Sequence, residues 1–347
     1  MCIRVVQQSV ARQVLATTPP SIESMRDVRP ALSPDAARAS LLASTALSAT
    51  YPVAAKLIYA ADGVALSPTA LTALRFSLMA AGGALLLNVN ADDESDTKQG
   101  FWLAAAELGF WATAGAQLNT AALQQISVVR GTILLASINI LTPALSAMIG
   151  TTETQRRVPG RAWIACIIAL ASTIFALADG SLQVPTSLFM AGDEIMLGAA
   201  TCYAIQQVRL SSLVALHAAP RLAAARLQTQ AACSLTFLPF ADGGVQQAWS
   251  SGIPALASFV SQISATQAGL ISLSALAAVV GLLMQYEGQQ VVPAPNAQPI
   301  YADSPILSAC WAYLALAEPV SSSEALGGLG ITTAALLAVS PSSSKDE

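Results

Sequence analysis

The sequence predicts an all-α integral membrane protein with ten transmembrane helices in two inverted five-helix repeats. The prediction rests on an apolar composition, ten apolar runs of membrane-spanning length, and landmarks that recur in both halves. Of the 347 residues, 54% are hydrophobic and only 10% are charged. Soluble domains carry about 25% charged residues, so this composition favours a multi-pass membrane protein.

The apolar runs follow one another from residue 40 onwards, with short polar breaks between them. Each has roughly the 17–25 residues that a helix needs to cross a bilayer. They are predicted at 40–60, 68–89, 101–123, 127–149, 162–179, 193–214, 220–240, 268–290, 299–317 and 324–340. Before them, residues 1–39 hold arginines and no lysine but also three acidic residues, which leaves an N-terminal tail and a transit segment as alternatives. Residues 341–347 are a C-terminal tail.

Positive charges are distributed unevenly among the predicted loops. They precede the first span or lie in even-numbered loops, at Arg26, Arg29, Arg38, Lys98, Arg156, Arg157, Arg161 and Arg221. Arg130, near the third loop, does not fit this distribution. Because cytoplasmic loops carry an excess of Lys and Arg, the even loops and both termini are predicted to share one side. An even number of spans agrees with that arrangement.

Several sequence landmarks occur twice, in the same order. TPALSA at 142–147 resembles SPILSA at 304–309, Tyr51 corresponds to Tyr203, and Arg75 corresponds to Arg226. These pairs predict an internal duplication, with one repeat at 40–180 and the other at 192–340. An odd number of spans in each repeat reverses the orientation of the second copy, as in many secondary transporters.

Three segments carry a resemblance to a known family. LSPTALTALRFSLMAAGGALLL (66–87) and GDEIMLGAATCYAIQQVRLSSL (192–213) resemble helices of EamA-type members of the drug/metabolite transporter superfamily. YEGQQVVPAPNAQPIYADSPILSACWAYLALAEPVSSSEALGGLGI (286–331) is similar to the eighth-to-tenth helix region of plastid-type members. The resemblance covers about residues 40–340 and implies a transporter of small organic solutes. It implies the plastid envelope as host membrane, with the plasma membrane and other organelle membranes as alternatives.

Ionisable residues inside predicted spans are candidates for a solute pathway, because charge is costly in a membrane. They are Lys56, Arg75, Glu107, Arg226 and Glu287. Snorkelling to the interface is the alternative for Lys56 and Arg75. Arg75 and Arg226 occupy equivalent depths, so they either bind an anionic solute or form structural pairs with Glu107 or Glu287.

Uncharged amides are the second group of candidates. They are Gln117, Asn119, Gln124, Gln206, Gln207 and Gln285. An amide needs hydrogen-bond partners in a membrane, so these side chains face either neighbouring helices or a wet cavity. Together they favour a polar, mostly uncharged cavity for amino acids or other small metabolites.

Asp303 and three prolines complete the set of candidate residues. Asp303 stands where the family resemblance implies a small uncharged residue, and Ala317-Glu318 replaces the usual Gly-Glu. We hypothesise that Asp303 couples transport to protons, the alternative being a water-exposed residue at the helix entry. Pro52, Pro143 and Pro305 are predicted to kink their helices, because proline removes a backbone donor.

Several function classes are disfavoured. A net charge of −4 argues against nucleic acid as a partner. The five cysteines stand singly, so neither a metal nor another cofactor is expected. An enzyme is not expected either, because the single histidine, His217, lies in a predicted loop. The expected partners are a solute and the lipid bilayer, with a homodimer left open, and a non-transporting scaffold or receptor is the alternative function.

Overall fold

The computed structural model describes residues 32–89, 100–150, 160–177, 191–214, 217, 219–240, 250, 258–292, 297, 300–301 and 304–339. Within these ranges all regular secondary structure is helical, which confirms the predicted all-α class. The helices are α1 (Pro34–Ser48), α2 (Tyr51–Ala60), α3 (Pro68–Val89), α4 (Phe101–Leu123), α5 (Val128–Leu135), α6 (Ile138–Ile149), α7 (Gly160–Leu177), α8 (Ala191–Leu213), α9 (Ala219–Thr236), α10 (Ala265–Val291), α11 (Ser304–Leu316) and α12 (Ser322–Val339).

Local capping explains where several helices begin. The Ser33 hydroxyl accepts from the Ala36 amide at 3.2 Å, so α1 starts at Pro34 rather than at the predicted residue 40. Ser264 and Gln267 form a capping box that starts α10 at Ala265. The predicted bounds of 68–89 and 101–123 coincide with those of α3 and α4.

Two of the predicted spans are interrupted. The first breaks at Ala49–Thr50, between α1 and α2, just before Pro52. Pro52 has no N–H, so it cannot bond the carbonyl of Ser48 and continue a regular helix. The fourth span breaks at Ala136–Ser137, between α5 and α6, upstream of the predicted kink at Pro143, which lies inside α6.

By length and composition, three helices of the described residues qualify as membrane spans. These are the broken helices Pro34–Ala60 and Val128–Ile149, and the continuous helix Ala265–Val291. Shorter apolar helices occur at Trp163–Ala176 and Ser304–Leu316. The long helix α8 carries Asp193, Glu194 and Arg209, and such charges lower the hydropathy of a span.

The two halves of the chain interdigitate. The most extensive contacts join α7 to α12, α4 to α8, α3 to α9, and α1 to α10. Each of these pairs consists of one helix from before residue 180 and one from after it. Small residues permit the close approaches. At Gly288 of α10, an added Cβ would lie 2.7 Å from the Leu41 side chain of α1.

Contacts between helix termini define the two ends of the bundle. At one end, which we call end A, the start of α5 meets the start of α8 through Arg130 and Asp193. Gln267, at the start of α10, reaches the Val64 carbonyl beyond α2 at the same end. At the opposite end, end B, the start of α4 lies beside the end of α8.

Candidate functional site

A cavity of about 290 Å³ lies at the middle of the bundle, and both halves of the chain line it. Small-molecule sites are clefts or cavities of roughly 300–1,000 Å³ with a few convergent polar groups. The large polar side chains of its lining are Tyr51, Arg75, Asn119, Asn139, Tyr203, Gln206, Gln207, Arg226, Gln230, Gln285 and Tyr301. Apolar surface comes from Phe76, Met79, Leu135, Ile138 and Leu282. None of the described lining residues is acidic.

Arg75 projects from α3 and is only 8% exposed. Its guanidinium carbon lies 4.0 Å from the centroid of the Tyr51 ring, a cation–π distance. The Nε atom is buried and has no hydrogen-bond partner among the described residues. The contact with the Tyr51 ring therefore restrains the guanidinium, while its Nε donor remains unused by the described residues.

Arg226 occupies a similar position on α9 and is 7% exposed. Its Nη1 donates to the Tyr286 hydroxyl at 3.3 Å, at the long limit of a hydrogen bond. Its Nε is also buried without a hydrogen-bond partner in the part of the chain that the structure describes. Tyr203 lies close enough to interact electrostatically with both arginines. The two guanidinium groups therefore face one site.

Amides and tyrosine hydroxyls surround the arginines. Asn119 lies beside the Tyr203 hydroxyl. Gln289 donates from its Nε2 to the Tyr301 hydroxyl at 3.0 Å and to the Gln207 Oε1 at 3.3 Å. The Tyr51 hydroxyl forms a 2.6 Å hydrogen bond with Thr120. These groups give the cavity a wall that both donates and accepts hydrogen bonds.

The structure brings together six of the eleven ionisable and amide candidates predicted from sequence. These six are Arg75, Asn119, Gln206, Gln207, Arg226 and Gln285, and all of them line the cavity. Lys56 and Gln117 are half-buried and lie outside the lining. Gln124 is exposed at the end of α4, beside Tyr59. Asp303 lies outside the described residues.

The two glutamates are not at the cavity. Glu107 accepts hydrogen bonds from the Nε and Nη2 atoms of Arg209, the latter at 2.9 Å. Glu287 is exposed. The expectation that Arg75 or Arg226 pairs with one of them is therefore wrong, because helix packing turns Glu107 towards α8 and Glu287 outwards.

The prolines differ in their placement. Pro52 and Pro305 line the cavity, and Pro52 follows the break between α1 and α2. Pro305 is the second residue of α11 and so begins a helix, where a missing N–H costs nothing. The predicted kink at Pro305 thus appears in the described residues as a helix start.

Several lining residues were not among the predicted site residues. Tyr51 and Tyr203 correspond to each other in the sequence comparison of the two halves, and this correspondence could have identified them as candidate site residues. Gln230 lies one helical turn beyond Arg226 on α9, so the helical period could have identified it. Tyr301 and Asn139 gave no such signal. No group of three potential metal ligands occurs among the described residues.

An ion pair lies near each end of the bundle. At end A, Arg130 donates to both carboxylate oxygens of Asp193, at 2.9 and 2.6 Å. Asp193 is fully buried there, and Glu318 accepts from the Val128 amide at 3.2 Å. At end B the pair is Glu107 with Arg209. Each pair joins a helix of the first half to α8.

Comparison with known proteins agrees with this architecture. Residues 190–340 match the family described as the EamA-like transporter family. Comparison with curated proteins gives no match. A crystal structure similar to this chain covers 88% of it and 96% of its own length, at 16% sequence identity and a TM-score of 0.60, so the two share a fold. Residues 190–340 of this helical membrane protein therefore constitute an EamA-like transporter family domain.

Proposed function

We propose that this chain is a secondary transporter that moves small organic solutes by alternating access between two inverted five-helix repeats. The observation that carries the proposal is the central cavity, to which each half contributes one buried arginine. Secondary transporters with inverted repeats bind their solute near the bilayer midplane, between the repeats. The family match at residues 190–340 supports the same class of function.

Helix packing supports a two-fold relation between 40–180 and 192–340. In such a relation the first span corresponds to α8, α3 to α9, α4 to α10, and α7 to α12. The contact between α1 and α10 then exchanges with the contact between α8 and α4. The contacts between α3 and α9 and between α7 and α12 are each their own counterparts. All four contacts are among the most extensive in the bundle.

The two ion pairs and the two helix breaks support movement between the halves. Opening end A requires separation of Arg130 from Asp193, and opening end B requires separation of Glu107 from Arg209. The breaks at Ala49–Thr50 and Ala136–Ser137 lie beside lining residues. Short stretches of 3₁₀-type bonding inside a helix often mark hinges, and Ser137 N donates to Leu134 O in that pattern at 3.0 Å.

Solute flux tests the proposal directly. The full chain is reconstituted into proteoliposomes and assayed for counterflow with a metabolite panel. For a matched test of mechanism, Arg130→Cys and Asp193→Cys are combined after replacement of the native cysteines, and a short bis-methanethiosulfonate reagent joins them through two disulfides. We expect cross-linking to stop flux and dithiothreitol to restore it by reducing those disulfides. In each single-cysteine variant the reagent should leave flux unchanged.

Two outcomes would contradict the proposal. Absence of flux for the whole panel in correctly folded protein favours a non-transporting scaffold or receptor. Undiminished flux in fully cross-linked protein excludes alternating access through end A.

We propose Asp303 as the proton-coupling residue. Its position two residues before Pro305 motivates this, since Pro305 and Ser304 line the cavity. Uptake driven by a pH gradient should be lost in Asp303→Asn, while counterflow without a gradient persists. Equal pH-driven uptake in the wild type and the variant would refute the role.

For the host membrane we propose the plastid envelope, on the resemblance of residues 286–331 to plastid-type members. A fusion of residues 1–39 to a fluorescent protein tests this in plant cells. Import into plastids and cleavage are the expected results. A diffuse fusion, or one at another membrane, would contradict the assignment.

A further inference from the structure

We propose that the central cavity binds a small organic acid through carboxylate groups held by Arg75 and Arg226. The inference rests on the proposed function in one respect: the ligand is taken to be the transported solute. It narrows the solute class from small metabolites in general to carboxylates without a compensating ammonium group.

The charges of Arg75 and Arg226 are uncompensated within the part of the chain that the structure describes. Arg75 and Arg226 are more than nine-tenths buried, and arginine stays protonated in proteins. Neither forms an ion pair with any residue that the structure describes, and no described lining residue is acidic. A buried charge without a partner is strongly unfavourable. An anionic ligand would remove this cost in the loaded state.

Two half-buried arginines, Arg130 and Arg209, differ from Arg75 and Arg226 in having carboxylate partners. Arg130 and Arg209 each hold a carboxylate with two nitrogen atoms, from Asp193 and Glu107 respectively. The chain therefore provides carboxylates for arginines that join helices. At the cavity, which Arg75 and Arg226 both line, it provides none among the described residues.

The geometry of the two guanidinium groups suits a carboxylate ligand. The planar guanidinium matches a carboxylate through two parallel N–H···O bonds. The centroid of the Tyr51 ring lies 4.0 Å from the Arg75 guanidinium carbon, a contact that restrains the guanidinium. The Nη1 atom of Arg226 donates to the Tyr286 hydroxyl, and the Arg226 guanidinium carbon lies 5.9 Å from the centroid of the Tyr286 ring. Both groups are thus positioned before a ligand arrives, which lowers the entropy lost on binding.

The remainder of the cavity wall also favours a small carboxylate over other solutes. A volume of about 290 Å³ admits a small molecule only. Polyphosphates favour clusters of several Lys and Arg, and the described lining has no lysine. An amino acid brings an ammonium group, for which the described lining offers no carboxylate. A dicarboxylate matches the two arginines best.

Thermal unfolding of the purified full chain in detergent tests the assignment. The probes are succinate, butyrate, succinamide, aspartate and inorganic phosphate, at equal ionic strength. We expect a concentration-dependent rise in Tm with succinate, a smaller rise with butyrate, and none with succinamide, since a ligand stabilises only the state that it binds. Aspartate should bind at least tenfold more weakly than succinate.

Variants separate a ligand site from a structural role. Arg75→Gln and Arg226→Gln should each abolish the succinate shift without lowering the Tm of the ligand-free protein, because each removes an uncompensated charge. Arg209→Gln is the matched control on a paired arginine. It should lower the ligand-free Tm and retain the succinate shift.

Every other pattern overturns the inference. Equal shifts from succinate and succinamide, no shift from any carboxylate, a shift from phosphate alone, or a succinate shift that survives in both arginine variants would each do so. A lower ligand-free Tm in both variants would make the arginines structural. Flux then separates the two proposals: anion binding without flux refutes the transporter, whereas flux of uncharged solutes alone refutes the carboxylate site.

Discussion

The ion pair at end A allows a quantitative test of how burial governs electrostatic coupling across the two halves. Arg130 holds Asp193 with two short hydrogen bonds. The Asp193 side chain is 0% exposed and that of Arg130 is 20% exposed. The pair Arg209–Glu107 at end B has the same two-bond geometry, but its side chains are 27% and 30% exposed.

Asp193→Asn keeps the volume of the side chain and removes its charge. Removal of one partner from a buried ion pair costs about 3–5 kcal/mol, because the other charge is left uncompensated. Arg130 retains some exposure and also interacts with Glu324, so we expect a cost of about 3 kcal/mol for Asp193→Asn. The coupling energy between Asp193→Asn and Arg130→Gln should be about 2 kcal/mol, within the range for residues in direct contact. For the more exposed end-B pair, by contrast, we expect about 1 kcal/mol or less.

Double-mutant cycles on the free energy of unfolding, measured in mixed micelles with increasing SDS, supply both coupling energies. The matched cycle uses Glu107→Gln and Arg209→Gln. Coupling at end B equal to or greater than that at end A would refute the reasoning, since burial would then not decide the strength of these pairs.

Two further predictions concern packing and hydrogen bonding. Gly288→Ala should destabilise the fold by about 1–3 kcal/mol, because its Cβ meets the Leu41 side chain. Gly269→Ala on the same helix has open space at its Cβ and should stabilise by about 0.5–1 kcal/mol through helix propensity, so equal effects of the two would contradict the packing argument. Tyr51→Phe should cost about 1 kcal/mol through the lost bond to Thr120, measurable by the same unfolding assay, and no change would show that bond to be energetically neutral.

Much of the helix pattern could be predicted from the sequence, because the length of an apolar run is a local property of the chain. The runs at 68–89 and 101–123 coincide with α3 and α4. Helix interruptions were harder to place. Pro143 indicated a kink in the fourth span, but the break lies at Ala136–Ser137. There the backbone N–H groups donate to the carbonyl three residues back instead of four, and neither residue of the break is a proline.

The candidate site was predicted in part. The repeat comparison paired Arg75 with Arg226, and both line the cavity. It could not assign Glu107 or Glu287, since the direction in which a helical residue points depends on the neighbours of that helix. Arg130 did not fit the predicted distribution of positive charges among the loops, and its pairing with the buried Asp193 accounts for its position.

The sequence by itself determined that the chain is helical and apolar, and where most of its helices lie. Those features follow from composition and run length, which need no knowledge of neighbouring helices. Only the tertiary structure decided which charges are compensated. Interdigitation of the two halves brings α4 and α5 against α8, and this provides partners for Arg209 and Arg130. The same packing leaves Arg75 and Arg226 facing a cavity without a described carboxylate, because charge compensation depends on distances that a linear sequence does not contain.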